Sequence, residues 1–200
     1  MTEQEKMKKG YIWKDDEENI ALQAKTKGLV REFNALPPEA MEEREALLKD
    51  IFGEVGEHVW IVPPLTAAVG KYVSIGEGTY ANMNLTLIDD WKITIGKHVL
   101  IGPNVTLCTT GHSIHPKHRG DGMYSFPITI EDNVWIGANV VVLPDVTIGK
   151  NSVIGAGSVV TKDIPANSVA FGSPCKVFRE INERDEEYYF KDRRFDEQPV

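Results

Sequence analysis

Residues 128–160 read ITIEDNVWIGANVVVLPDVTIGKNSVIGAGSVV, and an aliphatic residue returns at every sixth position: Ile130, Ile136, Val142, Ile148, Ile154 and Val160. A helix repeats its buried face about every 3.6 residues and an ordinary strand about every 2, so a period of six belongs to neither. It is the pattern of a parallel β-helix. Each hexapeptide supplies one short strand on a flat face of a prism, and three hexapeptides complete a coil. The recurring side chain then points inward and stacks on its counterpart in the next coil, about 4.8 Å away. Gly often follows that residue, as in IGEG, IGKH, IGPN and IGAG. Gly, Asn and Asp at these places are expected to supply the positive φ that tight corners require.

The same spacing extends upstream through Val69, Ile75, Ala81 and Leu87, and then Ile95, Ile101 and Leu107. Two interruptions break it. One is a two-residue excess between Leu87 and Ile95, around IDDWK; the other is the polar loop TTGHSIHPKHRGDGMYSFP at 109–127, with three histidines. Before the repeat, Pro37 and Pro38 precede a run of helix formers in which Met41, Leu47, Leu48, Ile51 and Phe52 recur at helical spacing and Gly53 is a stop. After Pro174, CKVFREI reads as a strand leading into a charged, helical tail whose aromatics are expected to pack on the end of the prism. The reading is therefore a mainly β protein, a parallel β-helix over 59–173 with an excursion loop at 109–127. An N-terminal helical segment (1–58) packs on the prism, and a short strand and helix tail (174–200) follows it.

Composition narrows the function. Lys and Arg total 22 against 30 Asp and Glu, a formal charge of −8, so nothing global favours nucleic acid or an anionic membrane. No apolar h-region opens the chain and no run approaches the length of a membrane span, which makes a cytoplasmic location the expectation. Cys108 and Cys175 have neither CxxC nor zinc-type spacing and read as packed thiols. The glycines match no P-loop or dinucleotide fingerprint.

Five stretches, YANMNLTLIDD, IGPNVTLCTTGH, MYSFPITIEDNVWIGANVVVLPDVTIG, NSVIGAGSVVTKDIPANSVAFGSPCKV and REINERDEEYYFKD, resemble the hexapeptide-repeat sugar O-acetyltransferases of the galactoside and maltose type. The resemblance covers almost the whole chain, and its tail is similar to the galactoside branch. It implies a left-handed β-helix, against the usual right-handed crossover, which the letters themselves do not encode. It also implies a homotrimer with active sites between neighbouring prisms, acetyl-CoA as co-substrate, a sugar acceptor, and no required metal.

Acetyl transfer to a hydroxyl needs a base, a donor for the developing oxyanion and groups that orient the alcohol. By resemblance the base is His112, in the TGH of the loop, acting by direct attack without an acyl-enzyme. The resemblance places Asp15, Asn82, Asp90, Tyr80 and Met123 at the acceptor and Trp135 near the thioester arm. It makes the backbone N–H of Ala138 the oxyanion donor. Ser158, Thr161, Lys162, Lys176 and Arg179 match positions that meet the adenine and phosphates. Without the resemblance, Asp15 in KDDEEN is ordinary solvated charge, and Asn82 and Asp90 are corner residues. Two departures bear on the acceptor: Ala67 and Ala68 stand where galactoside enzymes carry a hydroxyl side chain, and the histidine loop is about one residue shorter. Two other readings compete. His112, His115 and His118 are spaced H-x-x-H-x-x-H, which invites a zinc assignment and a γ-type carbonic anhydrase-like metalloenzyme, but the spacing differs from that family's and leaves the cofactor-like C-terminal motifs unexplained. A non-catalytic β-helix scaffold is the third.

Overall fold

The computed structural model describes residues 1–197, so the last three positions of the C-terminal tail lie outside the described residues. Three helices come first: α1 (Glu3–Lys8), α2 (Glu17–Ala35) and α3 (Met41–Ile51). The left-handed β-helix follows. Its first coil is β1 (Glu54–Val55), β2 (Trp60–Ile61) and β3 (Leu65–Ala67), so pairing begins within the segment that precedes residue 59. The second coil is β4 (Val73–Ile75), β5 (Tyr80–Ala81) and β6 (Leu85–Ile88), and the third is β7 (Ile93–Ile95), β8 (Leu100–Ile101) and β9 (Thr106–Cys108). A hairpin of β10 (Thr110–His112) and β11 (Met123–Ser125) interrupts the winding. The fourth coil is β12 (Ile128–Ile130), β13 (Trp135–Ile136) and β14 (Val141–Val142); the fifth is β15 (Val146–Ile148), β16 (Val153–Ile154) and β17 (Val159–Val160). The last coil passes through Ile164 into β18 (Ser168–Gly172), which turns back as antiparallel β19 (Cys175–Glu180).

The strands sort into three faces by position in the coil. Face one is β1-β4-β7-β12-β15, face two is β2-β5-β8-β13-β16-β18-β19, and face three is β3-β6-β9-β14-β17. Inside, the recurring residues form columns. Ile75, Ile95, Ile130 and Ile148 stack on face one, and Ile61, Ala81, Ile101, Ile136, Ile154 and Ala170 on face two. All are buried, so each coil removes its neighbour's apolar surface from water. On face three the column is Ala67, Leu87, Leu107, Val142 and Val160.

Two details differ from the sequence expectation. Val69 is buried, but the residue in register with Leu87 is Ala67, and Val69 sits in the corner beyond it. Early coils therefore pair residues twenty apart (Ile75 with Ile95, Ala81 with Ile101), the next residues eighteen apart (Ile130 with Ile148, Ile136 with Ile154) and the last residues sixteen apart (Ile148 with Ile164, Ile154 with Ala170), the difference falling at the corner from face three to face one. The glycines after the aliphatic residues also do a different job. A Cβ on Gly76 would come within 2.5 Å of the Gly96 backbone and one on Gly137 within 2.7 Å of the Ala156 nitrogen. These positions need Gly because successive coils touch there. Positive φ falls further along, at His58, Gly78, His98, Asn133, Asn151 and Asn167 on one corner and Asn84, Asn104, Asn139 and Gly157 on the next. The asparagines also pair along the edge: Asn133 Nδ2 donates to Asn151 (3.3 Å) and Asn151 Nδ2 to Asn167 (2.8 Å).

α2 and α3 close the open first coil. Phe33, Leu48, Ile51 and Phe52 join the prism core, whereas Met41 is exposed. The Asn34 amide both donates to the Leu65 carbonyl and accepts from its N–H at 2.8 Å, pairing an edge that would otherwise be open. At the other end, α4 (Glu183–Glu187), β20 (Tyr188–Phe190) and β21 (Arg193–Arg194) form a small appendage. Among the described residues its aromatics are not part of the prism core: the Tyr189 and Phe195 rings meet at a tilt and Tyr188 lies under Arg184, with Phe190 exposed.

The wide corner is held by Asp89, which is fully buried. Its Oδ1 accepts from the N–H groups of Ala68 (2.7 Å) and Val69 (3.2 Å), and its Oδ2 accepts from Val69 (3.3 Å) and Gly70. Burial pushes this carboxyl up from its ordinary range while the N–H donors pull it down. In Asp89→Asn either amide orientation sets an NH2 against a buried N–H, so the variant is expected to lose about 2 kcal/mol. Thermal unfolding should show that as a drop of about 5 °C; an unchanged midpoint would remove Asp89 as the corner's clamp.

Candidate functional site

The excursion leaves the prism at the wide corner and is pinned before it departs. Thr109 is buried; its hydroxyl donates to the Ile88 carbonyl (2.8 Å) and accepts from Trp91 N–H (3.2 Å). β10 and β11 then pair in antiparallel fashion with His112 opposite Met123. The segment before α2 adds a third, bridge-length strand. Trp13 and Met123 exchange both backbone hydrogen bonds at 2.9 Å, and the buried Trp13 indole donates to Ser125 Oγ at 3.0 Å. Gly122 permits that approach, since a Cβ there would lie 2.3 Å from the Trp13 carbonyl oxygen. His112 thus leaves from a three-segment patch and faces solvent, with no hydrogen bond to its ring among the described residues.

Beside it, Ser125 Oγ meets Thr110 Oγ1 at 2.7 Å, and the Thr110 side chain faces Asp90. Asp90 is buried, and burial raises its carboxyl above the ordinary carboxylate range. Nearby Asp15 adds to that rise, while Thr110 and Lys27 act against it. Asp15 is exposed, its Oδ1 accepting from Gln23 Nε2 at 3.2 Å, and Asp16 next to it caps α2. Asp15, Asp90, His112 and Met123 therefore gather at one edge of the prism, and the exposed Thr161 and Lys162 follow β17 on the same edge.

The other candidates lie elsewhere on the prism. Asn82 and Ala138 occupy the edge between faces two and three; Asn82 Oδ1 accepts from Met83 N–H at 2.8 Å, and the Ala138 N–H has no acceptor among the described residues. Tyr80 and Trp135 point outward from face two, in one register line with Trp60, Leu100, Val153 and Val169; Trp135 is 55% exposed. Lys176 and Arg179 sit on β19, the last strand of that face. Ser158 is fully buried. Its hydroxyl donates to the Gly155 carbonyl (2.5 Å) and accepts from Gly172 N–H (3.0 Å), tying β18 to the coil, so this side chain faces no ligand. Of the Ala67–Ala68 pair, Ala67 points into the core and only Ala68 reaches the surface.

The loop histidines are divided among separate tasks. His118 Nδ1 lies 2.8 Å from Asp121, and His115 Nδ1 accepts from Lys117 N–H at 3.2 Å, while Arg119 Nη2 donates to the Ile114 carbonyl at 2.7 Å. These contacts brace the loop; His112 alone belongs to the strand patch. The Trp13–Met123 pairing, the Thr110–Ser125 contact and the Asp89 clamp were not legible in the sequence, because each joins segments distant along the chain.

Comparisons with known proteins bear on the family and the fold. The bacterial transferase hexapeptide (six repeats) family matches residues 127–162, and the maltose acetyltransferase hexapeptide capping motif matches residues 6–56. The chain is 54% identical over 192 residues to a galactoside O-acetyltransferase of Escherichia coli K12, covering 94% of each chain. A galactoside O-acetyltransferase of Lactococcus lactis is 49% identical over 187 residues, 92% of this chain and 87% of that one. A solved galactoside acetyltransferase in complex with coenzyme A superimposes with a TM-score of 0.94 at 51% identity, covering 97% of this chain and 98% of the other. The hexapeptide columns, the capping helices and the histidine hairpin together assign the chain to the hexapeptide-repeat sugar O-acetyltransferases, the galactoside and maltose O-acetyltransferase family.

Proposed function

We propose that this protein transfers an acetyl group from acetyl-CoA to a hydroxyl of a galactoside- or maltose-type sugar, as a cytoplasmic homotrimer, with His112 as general base. The observation that carries the donor half is the register line on face two. From Trp135 it runs through Val153 and Val169 to Arg179, three strand steps. At about 4.8 Å per step that is about 14 Å. An extended amide-linked chain rises about 3.5 Å for every three bonds, so the twelve-bond arm of a pantetheine spans about the same length. An apolar lane ending in a cation suits an arm that ends in phosphates, and Lys162 and Lys176 add positive charge in a chain of net −8.

The division of groups between two edges supports the oligomer. One edge carries Asp15, Asp90, His112, Met123, Thr161 and Lys162; face two and its far edge carry Tyr80, Asn82, Trp135, Ala138, Lys176 and Arg179. A single prism keeps these sets on separate sides. Packing the first edge of one subunit against face two of the next closes a cleft with every function present, and threefold repetition closes the ring.

When bound, acetyl-CoA supplies an activated acetyl group. His112 accepts the acceptor's hydroxyl proton on a ring nitrogen and gives it up after transfer. Asp90, Asp15 and Asn82 accept hydrogen bonds from neighbouring sugar hydroxyls and hold the reacting oxygen in line. The Ala138 N–H faces the oxygen that gains negative charge. His112→Ala is expected to lower kcat about 10²- to 10⁴-fold in an assay of thiol release across a sugar panel; wild-type rates in the variant would refute the base.

Asp90 also links the site to stability. Its carboxyl is raised in the fold, chiefly by burial, so the folded state favours the neutral form. The favourable contribution is present below the ordinary carboxylate range and is lost as pH climbs from there through the raised folded value. Asp90→Asn keeps nearly the same size and removes the buried charge. The expected result is a higher melting temperature than wild type at pH 7, a smaller difference near pH 4, and weaker use of the acceptor. A variant that melts lower at pH 7 would contradict this account.

A further inference from the structure

Arg179 is held in an unusual way for a surface arginine. Its Nη1 and Nη2 donate to the two carboxylate oxygens of Asp185 at 2.5 and 2.7 Å, and Nη1 also donates to the Glu180 carbonyl at 2.9 Å. A guanidinium has five N–H groups in a rigid plane, and these contacts use three of them. The two that remain, on Nε and Nη2, form the other edge of the plane, and neither has an acceptor among the described residues. Such an edge matches two oxygens of one phosphate.

Asp185 is itself fixed. Asn182 N–H donates to its carboxylate at 2.9 Å, closing a capping box at the start of α4. Arg179 and this N–H hold the carboxyl down at about 2, so it is ionised across the physiological range. Arg179 stands opposite Val169, at the end of the line that starts at Trp135.

We infer that Asp185 is a positioning residue for the acetyl donor: it locks the Arg179 guanidinium so that its free Nε–Nη2 edge is presented to a phosphate of the cofactor. The inference rests on the reading that acetyl-CoA lies along face two. A carboxylate near an anion also repels it, so the two effects have opposite signs and the experiment decides between them. Without Asp185 the side chain is free to rotate, and the ordering it now has in advance must be supplied on binding.

Calorimetric titration of the assembled protein with coenzyme A, 3′-dephospho-coenzyme A and pantetheine, which lacks both the nucleotide and its phosphates, tests this in wild type, Asp185→Asn, Asp185→Glu and Arg179→Ala. Asp185→Asn is expected to weaken coenzyme A about tenfold and leave pantetheine unchanged, with Asp185→Glu recovering part of the loss. In turnover the KM for acetyl-CoA should rise while kcat stays within twofold. If dephospho-coenzyme A weakens as well, the phosphate held is in the pyrophosphate; if it does not, it is the 3′-phosphate. Unchanged or tighter coenzyme A binding in Asp185→Asn, or an equal loss for all three ligands, overturns the inference. Arg179→Ala separates that failure from a failure of the cofactor reading. If Arg179→Ala binds all three like wild type, face two is not where the phosphates lie.

Discussion

Ile136 stands between Ile101 and Ile154, and Gly137 is pressed against the Ala156 backbone. That contact between successive coils is the constraint on which the molecule depends. Coils about 4.8 Å apart leave room for one aliphatic side chain per face inside and for no Cβ at the points where backbones meet. A solenoid made this way is rigid along its length, and each strand's register is set by the coil beneath it. Outward side chains are then placed as strictly as inward ones, which is why Trp135, Val153 and Val169 fall on one line; the antiparallel return strand β19, whose register shifts between Val169 and Ala170, adds Arg179 opposite Val169.

Rigidity also explains where the reactive groups are. A stacked coil offers flat faces and tight corners, and neither surrounds a substrate. The protein departs from the repeat at one corner only, first by the residues that Asp89 clamps and then by the hairpin that carries His112. Trp13 fastens that hairpin from outside the solenoid by pairing with Met123, so β11, the strand opposite the histidine, is held by paired backbone on both sides. The N-terminal segment thus closes the first coil with α2 and α3 and steadies the loop with Trp13.

The period of six reads directly into the columns of the prism, because burial of a recurring residue is a property of the residue itself. What the letters conceal is the reason for each exception. Val69 keeps the six-residue spacing by coincidence, since the extra residues of the first coil sit beside it and Ala67 takes the place in the column. The glycines are visible in the sequence, but whether they serve torsion or close approach depends on what the neighbouring coil brings. His112 and Asp90 are marked by their place in the motifs and at the breaks, and Asn82 by its motif. Ser158 carries the right chemistry and points the wrong way, into a joint between β18 and the fifth coil. Trp13, Ser125 and Asp185 carry no local signal, since each acts through a partner that only the fold supplies.

The change of coil length has a consequence for how the enzyme can be altered. Coils of twenty residues carry Tyr80, Asn82 and Asp90, whereas coils of eighteen carry Trp135 and Ala138 and lead into β18 and β19. On the proposed reading, acceptor and donor are served by separate storeys of one tower, with the hairpin as the landing between them. Because each storey touches only its immediate neighbours, the wide corners can change shape to admit another sugar without disturbing the lane below. On that reading the fold allows the choice of alcohol to drift while the source of the acetyl group stays the same.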